Sequence, residues 1–283
     1  MSNSASQGDF LAVMSASSRA RVSAARARLD DAELLARAGA TPVPPRLQLS
    51  ARRFDLIAEV KFRSPATGQL REGSAENVIA RVAGYAEAGA AAVSVLTEPS
   101  HFDGSMAHLE TAAQALAGRI PAMRKDFLVD PYQVCEARLA GAGGVLLIVR
   151  ILEQQAAAAL IECAARLRLF VLLETFDEAD IGRAAALAKQ YASATELLIG
   201  VNCRDLVTLE VVPERLDALV RMLPADVPRV AESGVATAAD AGRVAIAGYD
   251  VALVGSALMS ALEPLQLVRA MLSAGRNERA RRS

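Results

Sequence analysis

The chain predicts an α/β fold, a single (βα)8 TIM barrel with an N-terminal helical extension. Three observations carry this expectation. Short apolar runs rich in Val, Ile and Leu occur eight times, at 56–60, 91–96, 120–123, 144–149, 169–173, 197–201, 228–231 and 250–254. They do not alternate with polar residues, which is how strands buried on both faces read. Ala-rich amphipathic stretches separate them, and the pattern repeats at roughly 28 residues, a natural length for one βα unit. An open doubly wound sheet would usually carry a glycine-rich turn after its first strand. Here that strand leads into Phe62-Arg63-Ser64-Pro65-Ala66-Thr67-Gly68, which is not G-x-G-x-x-G.

In chain order, residues 1–50 read as the extension, 51–272 as the barrel and 273–283 as a frayed basic tail. The first nine residues are polar and expected to be disordered. Residues 10–38 read as one or two helices, with Leu11, Met14, Val22, Ala25 and Leu29 at helical intervals. Thr41-Pro42-Val43-Pro44-Pro45 then breaks the helix. Helices are expected over 76–88, 106–117, 131–140, 154–167, 177–190, 213–222 and 237–247. Asp177 and Thr237 are candidate N-caps, and Gly89, Gly141 and Gly248 stand where helices should stop. The charged run Arg276–Ser283 reads as a solvated end.

Composition excludes several classes. The 283 residues are 53% hydrophobic and 22% charged, which indicates a core and argues against disorder. The formal charge is −1, so no bulk field draws nucleic acid or an anionic membrane. Aromatics are 4% with no Trp, a poor supply of stacking platforms for single strands. Cys135, Cys163 and Cys203 form neither a metal spacing nor a disulfide framework, which fits a reduced cytoplasmic protein. No signal-peptide pattern stands at Met1–Phe10, and no run reaches the roughly 18–20 apolar residues of a membrane helix. A barrel of this size is compatible with a monomer or a homodimer.

In a barrel the active site forms at the C-terminal ends of the strands. The first apolar run ends in Glu59 and Lys61, followed by Ser64. The third ends in Lys125, the fifth in Glu174, and the sixth in Asn202 and Arg204. The seventh ends in Glu232, Ser233 and Gly234, and the eighth in Gly255 and Ser256. Charges at so many buried strand ends are costly unless they converge on a ligand. The glycine-bearing ends of the last two strands sit where barrels bind phosphate, although the same glycines would serve tight turns. Three cations and three carboxylates in one mouth suit proton transfer; a structural ion-pair ring is the other reading. Lys125 could also be a Schiff-base lysine. Cys203 has no histidine partner and reads as packing. His101 and His108 read as surface or loop residues, and no metal set is evident.

These residues resemble one known family, the indole-3-glycerol-phosphate synthases of tryptophan biosynthesis. The likeness rests on six ordered motifs that span nearly the whole chain. They are Ile57-Ala58-Glu59-Val60-Lys61 with Ser64-Pro65; Ser94-Val95-Leu96-Thr97-Glu98 with Phe102-Asp103-Gly104-Ser105; Arg124-Lys125-Asp126-Phe127 with Tyr132-Gln133; Gly200-Val201-Asn202-Cys203-Arg204-Asp205-Leu206; Glu232-Ser233-Gly234; and Gly255-Ser256-Ala257-Leu258-Met259. The resemblance implies a carboxy-lyase acting on a small phosphorylated anthranilate-derived substrate, with no cofactor. It implies Lys125 as general acid, Glu174 as acid/base in dehydration, and Lys61 at the substrate carboxylate. Glu59 and Asn202 would hold hydroxyls and orient the lysines. Arg204, Ser233, Ser64 and Glu232 would supply polar contacts, and Gly234, Gly255 and Ser256 the phosphate cradle. Phe127, Leu146, Leu206 and Pro65 would wall the anthranilate ring. Where the family commonly reads Ser-Pro-Ser-Lys-Gly, this chain has Ser64-Pro65-Ala66-Thr67-Gly68; where it often reads Val-His, Thr175-Phe176 follows Glu174. These departures leave room for a paralogue in a specialised indole pathway. Two further alternatives are a non-catalytic phosphate-ligand-binding barrel subunit and phosphoribosylanthranilate isomerase. The isomerase relies on a Cys–Asp pair, and no Cys stands at the first strand end.

Overall fold

Each of the eight apolar runs forms a strand. The computed structural model describes residues 10–51, 54–64, 68–70, 75–205, 208 and 210–282. The strands are β1 (Asp55–Val60), β2 (Ala92–Leu96), β3 (Ala122–Lys125), β4 (Gly144–Ile148), β5 (Phe170–Thr175), β6 (Leu197–Asn202), β7 (Arg229–Glu232) and β8 (Val251–Val254). All pair in parallel with their sequence neighbours, and β8 closes back on β1. A closed (βα)8 barrel is therefore the architecture.

The barrel helices fall between the strands. They are α3 (Ala75–Ala88), α5 (Met106–Leu116), α6 (Pro131–Leu139), α7 (Gln154–Arg166), α8 (Glu178–Tyr191), α9 (Glu214–Leu219) and α10 (Ala238–Ala247), with a four-residue α4 (Pro99–Phe102) before α5. Both candidate N-caps hold. Asp177 accepts from the Asp180 N–H, and Thr237 and Asp240 form a reciprocal capping box.

Because side chains alternate across a strand, each strand serves two cores. Leu56, Ala58 and Val60 face the helix layer, while Ile57 lies in the barrel interior with Met123, Leu146, Phe170, Leu172, Leu198, Val230 and Leu253. Counting on by two from these interior residues leads to Glu59, Lys125, Glu174, Asn202, Glu232 and Gly255. The alternation thus aims the polar strand ends into the mouth.

The N-terminal extension forms α1 (Phe10–Arg26) and α2 (Asp31–Ala40). Arg21 of α1 donates two hydrogen bonds to Asp126, and Ser18 donates to the Phe127 carbonyl. These bonds seat α1 against the segment that follows Lys125. The disorder expected for residues 1–9 concerns residues outside those described.

The expected frayed tail is corrected. After the short α11 (Ser256–Ser260), a long α12 (Pro264–Arg282) runs through the charged segment. Val268, Met271 and Leu272 are buried at helical spacing. Arg276 pairs with Asp55 at the start of β1, and Arg279 with Asp250 just before β8. The arginines read as solvated are thus docked on acidic groups at the barrel's N-terminal rim. His101 and His108 are half-buried, with rings packed edge-on against Phe10 and Phe62.

Candidate active site

Two glycines make space for two carboxylates. A Cβ at Gly200 would lie 2.1 Å from Glu232 Oε1, and one at Gly255 would lie 2.1 Å from Glu59 Oε1. Gly200 on β6 and Gly255 just after β8 therefore leave room for the carboxyl groups of Glu232 and Glu59. Both carboxylates are buried. The sequence points to Gly255 as a phosphate-cradle or tight-turn glycine and carries no signal for this role of Gly200.

Lys125 joins the charges. Its Nζ is 2.9 Å from Glu174 Oε2 and 3.4 Å from Glu232 Oε2. Asn202 Nδ2 donates to the other oxygen of Glu174 at 3.0 Å. Asn202 Oδ1 in turn accepts from Ser233 Oγ at 2.9 Å and from the Arg204 N–H at 3.0 Å. Across the mouth Lys61 Nζ is 2.8 Å from Glu59 Oε1.

The electrostatics follow from this layout. Burial works against the Lys125 ammonium, but Glu174, Glu232 and Glu59 outweigh it and hold the amine above the ordinary lysine range. A Schiff-base lysine needs the opposite shift, so the geometry disfavours that reading. Burial likewise opposes the Glu59 carboxylate, yet Lys61 and Lys125 keep it below its ordinary value. Glu232 goes the other way. Burial, then repulsion from Glu174, pushes it up to about 8, and its Oε1 has no hydrogen-bond partner among the described residues.

The side expected to take phosphate is backbone. Ser233 and Gly234 both have positive φ, 65° and 67°, so the chain turns sharply just after β7. Gly234 is required there, since a Cβ would also lie 2.9 Å from Cys203 Sγ. Gly255 caps α11 without a side-chain bond, whereas α10 is capped by its own Thr237 and Asp240.

One cavity of about 420 Å³ contains Glu59, Lys61, Lys125, Phe127, Leu146, Glu174, Asn202, Arg204, Glu232, Ser233, Gly234, Gly255 and Ser256. The side chain of Ser64, and the whole of Pro65, Ala66, Thr67 and Leu206, lie outside what is described. Phe10 and Leu11 of α1, with Phe102, Ile148 and Phe176, add apolar wall that sequence reasoning missed. Phe176 had a signal, standing two residues after Glu174. Phe10 had none, because its place depends on how α1 docks. Cys203 is packed in the core as expected. Among the described residues no cluster of metal-binding side chains occurs, and no helix is long and apolar enough to cross a membrane.

A lysine braced by glutamates, beside a backbone anion cradle and an apolar wall, defines a (βα)8-barrel enzyme for acid–base chemistry on a phosphorylated substrate. The family model described as indole-3-glycerol phosphate synthase matches residues 11–271. The indole-3-glycerol phosphate synthase of Parafrankia sp. is 44% identical over 80% of this chain and 81% of its own, and that of Rhodococcus opacus 40% over 91% and 92%. Among solved structures, 3-hexulose-6-phosphate synthase from Salmonella typhimurium superposes with a TM-score of 0.62 at 12% identity, over 80% of this chain and 100% of that one, a likeness of fold alone. The chain belongs to the indole-3-glycerol phosphate synthase family, decarboxylating lyases of tryptophan biosynthesis.

Proposed function

We propose that this mouth converts 1-(2-carboxyphenylamino)-1-deoxyribulose 5-phosphate to indole-3-glycerol phosphate, with Lys125 as the general acid. The observation that carries the assignment is the position of Lys125 Nζ between Glu174 and Glu232. An ammonium held there donates a proton to the substrate carbonyl oxygen as the ring carbon bearing the carboxylate attacks the carbonyl carbon. It also supplies a positive field for the developing alkoxide. Carbon dioxide then leaves, returning its electron pair to the ring system. Glu174, steered by Asn202, serves the later dehydration, in which a hydroxyl departs as water and a carbon-bound proton is removed. Lys61, paired to Glu59, meets the substrate carboxylate, and Arg204, Ser233 and Glu232 complete the polar surface. Phe127 and Leu146 keep the ring dry, which favours decarboxylation. Gly234, Gly255 and Ser256 cradle the phosphate through backbone N–H groups. The substrate's own amine pushes the electrons, so this route uses no cofactor.

Purified protein given this substrate is expected to form a fluorescent indole product. Lys125→Met is expected to lose roughly 10²–10⁴-fold in kcat, the usual yield of a general acid, with an unchanged circular dichroism spectrum. No product at saturating substrate refutes the reaction; wild-type turnover in the variant refutes the role of Lys125.

A further inference from the structure

A second cavity of about 400 Å³ opens on the barrel flank, walled by α2, α6 and α7. Cys135 of α6 and Cys163 of α7 both line it. Their sulfurs are 3.7 Å apart, although 28 positions separate them in sequence. Cys163 Sγ is also 3.7 Å from the Pro131 carbonyl oxygen. A neutral pair can thus pass a hydrogen bond from Cys135 to Cys163 and on to Pro131. When Cys135 loses its proton, the Cys163 S–H can turn to it. That hydrogen bond, against the effect of burial, holds the Cys135 thiol below the ordinary cysteine range; the same contact, then burial, holds Cys163 above it. The Pro131 carbonyl gives the Cys163 proton an acceptor that Cys135 lacks in this contact, so Cys135 is the thiol placed to attack and Cys163 the one placed to resolve. Cys203 is unlike either, fully buried and pushed up to about 11 chiefly by burial.

We propose that Cys135 and Cys163 form a dithiol that closes to a disulfide when a peroxide enters the flank cavity, stapling α6 to α7. The Cys135 thiolate attacks one peroxide oxygen. The O–O bond breaks, hydroxide leaves and takes a proton, and Cys135 becomes a sulfenic acid. Cys163 sulfur then attacks Cys135 sulfur. The S–O bond breaks, and the departing hydroxide takes the Cys163 proton. Two thiols and one hydrogen peroxide give one disulfide and two waters; the sulfurs lose two electrons and the peroxide gains them. A neighbouring thiol in contact traps the sulfenic acid before it climbs to irreversible sulfinic acid. The staple would act near the mouth without entering it. The helix it fixes starts at Pro131, and Gln133 of that helix accepts from the Val129 N–H and donates to Ser18 of α1.

The test treats the folded full-length protein with one equivalent of hydrogen peroxide, blocks remaining thiols by alkylation, and maps the peptides by mass spectrometry. Two of three thiols should vanish, with a Cys135–Cys163 linked peptide two hydrogens lighter than the thiol pair, reversed by dithiothreitol. The oxidised protein should also melt higher than the reduced one, since the bridge closes a long loop in the unfolded chain. Cys163→Ser should give no linked peptide and instead a dimedone adduct at Cys135, with unchanged basal activity when reduced. Three free thiols after peroxide, a bridge to Cys203 or between chains, or an equal bridge yield only after unfolding would overturn the proposal.

Discussion

A period of two along a buried strand points Glu59, Lys125, Glu174 and Glu232 alike into the mouth, yet Glu232 behaves opposite to Glu59. The difference depends on lateral register: Glu232 stands level with Asn202 on one side and Leu253 on the other, and lies over the gap left by Gly200. This position yields a prediction. Burial, then Glu174, pushes the folded carboxyl up to about 8 from an ordinary value of 4.5. A raised carboxyl costs the fold nothing below about 4.5, where both states hold the proton. Stability then falls as pH rises, because the unfolded chain releases its proton first, and the loss is complete above the folded value. Wild type is therefore expected to lose more stability between pH 5 and pH 8 than Glu232→Gln does. Chemical denaturation at both pH values checks this, and parallel slopes for the two proteins would show that Glu232 is ionised throughout.

At the scale of elements, the helices were readable from apolar spacing and caps, and α12 shows where that reading stops. Its buried stripe of Val268, Met271 and Leu272 carries the helical period, but the arginines beyond it look solvated until Asp55 and Asp250 are known to lie beside them. The docking of α1 was equally hidden. Asp126 is fully buried, accepts from Arg21, Thr97 and Arg124, and sits directly after Lys125. Burial opposes its charge, but Arg21 and Arg124 prevail and lower its carboxyl to about 2. Removing Arg21 leaves that charge half-served and frees the helix that brings Phe10 and Leu11 to the mouth. Arg21→Ala is expected to lower stability by about 1.5–3 kcal/mol, the range for hydrogen bonds to charged groups. It should also raise KM more than it lowers kcat, since α1 lines the pocket with Phe10 and Leu11 and contributes no group to the proposed proton transfers. Urea melts and steady-state kinetics measure both, and an unchanged KM would show that α1 does not shape the pocket.

For the whole molecule, barrel closure turns scattered strand ends into one charge-balanced mouth. Lys61, Lys125 and Arg204 face Glu59, Glu174 and Glu232, so full ionisation would leave no net attraction for a substrate bearing both carboxylate and phosphate. Burial and Glu174 hold the Glu232 proton up to about pH 8, which removes one negative charge from the mouth. In the proposed site the remaining attraction for phosphate comes from backbone N–H groups at Ser233–Gly234 and at the start of α11. Inorganic phosphate alone should then stabilise the folded chain. At ten times its dissociation constant the gain is about 1.4 kcal/mol, a rise in melting midpoint of roughly 3 °C for a domain of this size. Chloride at equal ionic strength should give no such rise. Gly234→Val forces a branched side chain onto a φ of 67° and against Cys203 Sγ, so it should abolish the phosphate response even where the variant still folds. A full phosphate-dependent rise in that variant would move the anion site away from the β7 turn, and with it the orientation of the substrate relative to Lys125.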